Sequence, residues 1–171
     1  MENKNAEITN DMLCVGRVLI GVIGAQIKGE IYQFPENTDF SKIYKLSEKH
    51  RVTPLVAPSV IASANASNEI KTVFKKELFR SAARYTAQEK EAEELSELFV
   101  KSGIKHCFLK GAKVSKYYDN PEMRFMLDMD VFIEPGKAED AKKILVERGY
   151  KYENYEDAKD AGYVKKPFLN F

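Results

Sequence analysis

Between Ile70 and Phe99 the chain repeats one pattern. Ile70, Phe74, Leu78, Ser81, Tyr85, Gln88, Ala92, Leu95 and Phe99 follow one another at steps of three or four residues. That spacing puts them all on one face of a single helix. A helix from about Asn68 to Ser102 is therefore predicted, well beyond the usual three turns. Gln88 is the one large polar residue in the stripe. The opposite face is rich in Lys and Glu, and the plain account of that charge run is a solvated surface. Gly103 is placed to end the helix in the left-handed conformation. The sequence changes character there. Residues 1–102 read as a helical N-terminal subdomain, and residues 103–171 alternate strand-like and helix-like patterns as a second domain.

Within the first part, Asp11 to Gln26 reads as a buried amphipathic helix. Arg17 interrupts its apolar run, which is also too short for a bilayer span of about 20 residues. The polar, partly acidic stretch before it lacks the basic start of a signal peptide. Asp39 or Ser41 can cap a helix through Ile43 and Leu46, and Pro54 suits the first turn of another. Ser63 to Ser67 reads as a connection.

Charge narrows the function classes. Lys plus Arg is 27 and Asp plus Glu is 26, a formal net charge of +1. That balance argues against a surface built to grip nucleic acid or an anionic membrane, while leaving room for a local phosphate pocket. Cys14 and Cys107 stand far apart with no CxxC pair, so they are expected as two buried thiols of a cytoplasmic protein. His50 and His106 lack metal-ligand spacing and are expected to be structural.

The second part holds the chemistry. Ile104 to Leu109 reads as a strand, Ala112 to Tyr118 as a helix, Lys137 to Arg148 as a helix stopped by Gly149, and Tyr150 to Tyr152 as a further strand. Tyr163-Val164 and Pro167 to Phe171 read as a final strand or hairpin. Leu127 to Ile133 alternates like a strand, so Asp128, Asp130 and Phe132 share one face and Met129, Val131 and Ile133 the other. The two carboxylates then stand about 7 Å apart along the strand. Such a pair repels itself unless a cation lies between them, and oxygen ligands suit a hard ion such as magnesium. The plain alternative is a solvent-facing edge strand with two harmless acids, although Asp is depleted in strands. Lys110-Gly111 follows a strand and opens a helix. Backbone amides there can approach a phosphate, and Lys110 adds a point charge; an ordinary strand-to-helix turn is the alternative. Arg124, four residues before Asp128, can hold a phosphate oxygen or steady a carboxylate, or be a surface arginine.

Taken together, the run FLKGAKVSKYYDNPEMRFMLDMDVFIEPGKAEDAKKILVERGYKY resembles the core of the uncharacterised bacterial nucleotidyltransferase family, whose fold is polymerase-beta-like. The positions that carry the resemblance are Lys110, Gly111, Tyr118, Pro121, Arg124, Asp128, Asp130, Gly149 and Tyr150. A looser likeness extends back to His50-Arg51-Val52 and Pro54-Leu55. The sequence departs from the wider superfamily in three ways. Lys-Gly stands where Gly-Gly or Gly-Ser is usual. The interval from Gly111 to Asp128 is long. A third carboxylate, taken by the superfamily from a later strand, is missing before Phe171.

The resemblance implies an α/β (α+β) fold, with the helical subdomain packed on a truncated nucleotidyltransferase-type mixed sheet. It implies transfer of a nucleotidyl group from a nucleoside triphosphate to an unknown acceptor. Asp128 and Asp130 would be catalytic and would hold magnesium or manganese; Lys110, Gly111 and Arg124 would bind the triphosphate. The chain is expected to be an N-terminal piece, inactive alone, able to dimerise through residues 164–171. A non-catalytic nucleotide-binding or protein-interaction module is the competing reading.

Overall fold

A computed structural model describes residues 2–153 and 162–164. The order is α1 (Glu2–Ile27), α2 (Phe40–Lys49), α3 (Thr53–Ala62), α4 (Asn68–Lys101), β1 (His106–Phe108), α5 (Lys110–Val114), β2 (Val131–Ile133), α6 (Ala138–Glu147), β3 (Lys151–Glu153) and β4 (Gly162–Val164). Single turns of 3-10 helix lie at Ser115–Tyr117 and Pro121–Met123. The fold is α+β. The described strands form two antiparallel pairs, β1 with β2 and β3 with β4, so no parallel pair of a mixed sheet lies among the described residues. Residues 165–171, to which the last strand and the edge-to-edge dimer were assigned, lie outside them.

The chain forms two compact units. The first comprises residues up to Ala83 together with Tyr118–Phe125; the second comprises Arg84–Tyr117 and the chain from Met126 onward. The change in sequence pattern near residue 102 follows the end of α4, whereas the division between units falls inside α4.

In the first unit α1 begins at Glu2, nine residues earlier than its apolar run. The added residues include the helix formers Glu and Ala and no Gly or Pro, so nothing local stops the helix. Leu19 and Val22 from α1, Phe40 and Ile43 from α2, Val56 and Val60 from α3 and Phe74 from α4 make the core. Leu19 and Val22 are buried as the pattern of α1 predicts, but Leu13 and Ile20 of the same apolar run are exposed, so the helix is only half-buried. Edge-on aromatic contacts link Tyr32 to Phe34 at 5.1 Å and Phe34 to Phe40 at 4.9 Å, the arrangement that ring quadrupoles favour. Asp39 caps α2 by accepting from the Ser41 and Lys42 amides. Buried hydroxyls are paired: Ser47 and Thr53 lie 3.1 Å apart, and Ser59 accepts from the Tyr32 amide at 3.0 Å.

In the second unit Leu95 and Phe99 from α4 pack with Ile104, Ala141, Leu145 and Tyr150. Two glycines make this closure possible. Gly103 (φ +66°) ends α4 and Gly149 (φ +89°) ends α6, both in the left-handed region. After each, the next amide reaches back into the helix, Ile104 to the Phe99 carbonyl at 2.8 Å and Tyr150 to the Leu145 carbonyl at 2.9 Å. This is the Schellman closure. It drops Ile104 and Tyr150, both apolar-bodied, into the core. Tyr150 donates its hydroxyl to Glu91 at 3.1 Å, and the same carboxylate accepts from Arg148 Nε at 2.9 Å. Arg148 also pairs with Glu94. The Gly149-Tyr150 pair thus serves packing.

Burial, and secondarily the Glu91 carboxylate, raise the Tyr150 phenol well above its ordinary 10.0. The folded state holds that proton more tightly than the unfolded chain. The stability it contributes is complete below about pH 10 and is lost as pH rises beyond it. Denaturant unfolding from pH 8 to 11.5 should therefore show a fall in stability above pH 10. The fall should be shallower in Tyr150→Phe, though not abolished, since Tyr44 and Tyr163 are also raised. An identical pH profile in the variant would contradict this account.

Candidate metal and triphosphate site

The site is built on the short β1–β2 ladder. His106 faces Ile133, Cys107 faces Phe132 and Phe108 faces Val131. One further rung, from the Leu109 amide to the Asp130 carbonyl at 2.8 Å, extends the pairing to Asp130. Val131 and Ile133 pack on the core of the second unit, while Phe132 between them is 57% exposed. This is the period-2 alternation of a half-buried strand.

The strand is shorter than its sequence pattern. Leu127 to Asp130 lie outside the assigned strand, which begins at Val131. The reason is the partner. β1 can offer a ladder only as far as Leu109, because the chain turns into α5 at Lys110. A strand without a neighbour to bond is not a strand, whatever its alternation.

Lys110 makes that turn in an unusual way. Leu109 is extended (φ −115°, ψ 175°), and Lys110 is left-handed at φ +43°. Non-glycine residues seldom occupy this region. The sequence supplies a glycine next door, yet Gly111 is not the left-handed residue; it is buried in the first turn of α5. The Lys110 ammonium reaches Asp130 Oδ1 at 3.2 Å. Lys110 and Asp130 are thereby brought together, with Gly111 adjoining. Asp128 is exposed. Arg124 follows the 3-10 turn, its amide bonded to the Pro121 carbonyl at 3.1 Å, and belongs to the first unit. Among the described residues, no cluster of three or more His, Cys, Asp or Glu side chains forms a metal cage.

The segment leading to the pair is held by α4. In the first unit Ser81 donates to the Glu122 carbonyl at 2.5 Å. In the second, buried Gln88 donates Nε2 to the Met126 carbonyl at 3.1 Å. The two polar interruptions of the stripe are seven residues apart, two turns along one face, and each satisfies a backbone carbonyl that apolar neighbours could not. Behind the segment lies a cleft of about 180 Å³, lined by Tyr85, Gln88, Ala92, Phe108, Met126 and Met129 among others. Met129 faces this cleft; neither Asp128 nor Asp130 lines it.

His106 is structural, as expected: its ring nitrogens lie 2.8 Å from Ser96 Oγ and 3.2 Å from the Ile104 carbonyl. The cysteines are not buried as expected. Both are free and exposed, Cys107 because it points with Phe132 away from the core. The Glu91–Arg148–Tyr150 network escaped sequence reasoning. Its members are 57 and 59 residues apart, and no local pattern couples them.

The fold is α+β, with Asp128 and Asp130 next to the strand-to-helix turn at Lys110. A family model described as "Uncharacterised nucleotidyltransferase" matches residues 36–169, which include every candidate site residue. The chain belongs to this nucleotidyltransferase family. No curated protein and no solved structure matches it.

Gln88→Leu keeps the volume and removes the donor, leaving the Met126 carbonyl buried without its partner. Such a loss costs about 1–3 kcal/mol. Urea unfolding should show that destabilisation; a change below about 0.5 kcal/mol, the range of ordinary surface substitutions, would show that the bond does not hold the segment.

Proposed function

We propose that the chain is a divalent-metal-dependent nucleotidyltransferase, acting on a nucleoside triphosphate and an acceptor yet to be identified. The observation that carries the reading is the meeting of Lys110 with Asp130, one residue beyond the exposed end of the ladder and two residues after Asp128, inside the family match. A carboxylate already paired with a cation and a second, exposed carboxylate form an oxygen donor set suited to magnesium or manganese. Bound there, the metal would offset charge on the α-phosphate and on the leaving pyrophosphate.

The chain's own residues have separable tasks in this reading. Asp128 and Asp130 supply the metal's oxygen ligands. Lys110 offers a mobile positive charge to the phosphates, and Gly111 keeps the turn free of a side chain beside them. α5 has five residues, too few for much help from a helix dipole. No residue of this chain is assigned as the base that would take the acceptor's proton, and metal-dependent nucleotide binding is the property to measure. A cytoplasmic setting suits the nucleotide and the two exposed free thiols.

Calorimetry, or broadening of proton resonances by manganese, tests the pair. Wild type should bind manganese weakly, since magnesium-like ions surrender water reluctantly to two ligands. Asp128→Asn with Asp130→Asn should abolish binding while the fold persists. Unchanged binding in the double variant would refute the assignment.

A further inference from the structure

The turn at Lys110 asks for glycine and has lysine. At φ +43° a glycine would meet the backbone demand with no steric cost. What lysine adds is its ammonium, and that group lies on Asp130 Oδ1 at 3.2 Å. The reach is set by the fold: the Leu109 amide to Asp130 carbonyl bond, 2.8 Å, fixes the turn against the strand that carries the acid.

We propose that Lys110 is a placeholder cation: it occupies Asp130 before metal arrives, and it passes to the triphosphate when a metal–nucleotide complex takes the acid pair. The proposal rests on the reading of Asp128 and Asp130 as the metal ligands. The Lys110 ammonium offsets part of the Asp130 charge. The Lys110 side chain is 75% exposed and that of Asp130 35%. An ion pair this exposed is weak, so it can be displaced. A lysine is suited to both partners, being a flexible point charge with three donors. Asp128, by contrast, is exposed and stands ready for a metal.

The arrangement sets two affinities in opposite directions. Free metal must displace the ammonium from Asp130 and is bound less tightly for it. A metal carrying a triphosphate gives the displaced ammonium a new partner and is bound more tightly. The lysine thus favours the metal–nucleotide complex over the bare ion.

Manganese alone and manganese with inorganic triphosphate are the probes, titrated by paramagnetic broadening into the full chain. Lys110→Met should tighten binding of manganese alone about two- to fivefold, the scale of an exposed ion pair, and should weaken binding of the manganese–triphosphate complex. Lys110→Gly should act in the same directions and melt no lower than wild type, because it removes the left-handed strain. It serves if the Met variant folds poorly. Manganese affinity unchanged or reduced in both variants, or triphosphate affinity unaffected, would overturn the placeholder role. Failure of the underlying site reading would look different: manganese binding would survive Asp128→Asn with Asp130→Asn.

Discussion

The apolar stripe of α4 is the constraint on which the rest depends. One helix from Asn68 to Lys101 delivers Phe74 to the core of the first unit and Leu95 and Phe99 to that of the second. Its two polar interruptions act differently from its apolar members. Ser81 and Gln88 each hold a backbone carbonyl in the segment that runs into Asp128. An all-apolar stripe would bury more hydrocarbon, yet it would leave those carbonyls unpaired at a cost comparable to the gain. The helix thus contributes to both cores and anchors the segment that bears the acids.

The candidate residues stand at the end of a minimal sheet. Three residue pairs and one extra rung are all that fix Asp130, and Asp128 lies beyond the last rung. A short, half-exposed ladder is a low-stability element. The closing hydrogen bonds at its other end, where Lys105 and Glu134 exchange an amide-to-carboxylate contact of 2.8 Å and an amide-to-carbonyl contact of 3.0 Å, oppose fraying from that side. At that end Asp128 is exposed and Asp130 partly so. Lys110, strained and exposed, is the near neighbour that neutralises Asp130.

Much of this was legible because the deciding forces are local. The 3.6-residue period of α4, a cap at Asp39 or Ser41, the helix stops at Gly103 and Gly149, and the alternation of Val131, Phe132 and Ile133 are written in short windows of sequence. What was not legible depends on partners distant in the chain. The strand at Leu127 to Ile133 loses its first half because β1 runs out of residues to pair. The left-handed residue of the strand-to-helix turn is Lys110 although propensity favours Gly111. Cys107 is exposed because the ladder's register, which sequence cannot give, turns it outward with Phe132. The pairing of Glu91 with Arg148 and Tyr150 needs α4 and α6 packed together before it exists. The choice of Asp128 and Asp130 as ligands came from residue chemistry and family resemblance.

Asp128 and Asp130 are proposed to hold a divalent cation that receives a triphosphate. In crystals grown with manganese and a non-hydrolysable nucleoside triphosphate, an anomalous manganese peak should lie bonded to oxygens of both carboxylates, with the phosphates against it and the Lys110 ammonium withdrawn from Asp130. A peak bound elsewhere, or nucleotide bound with the Lys110–Asp130 pair intact and no metal on the acids, would contradict it.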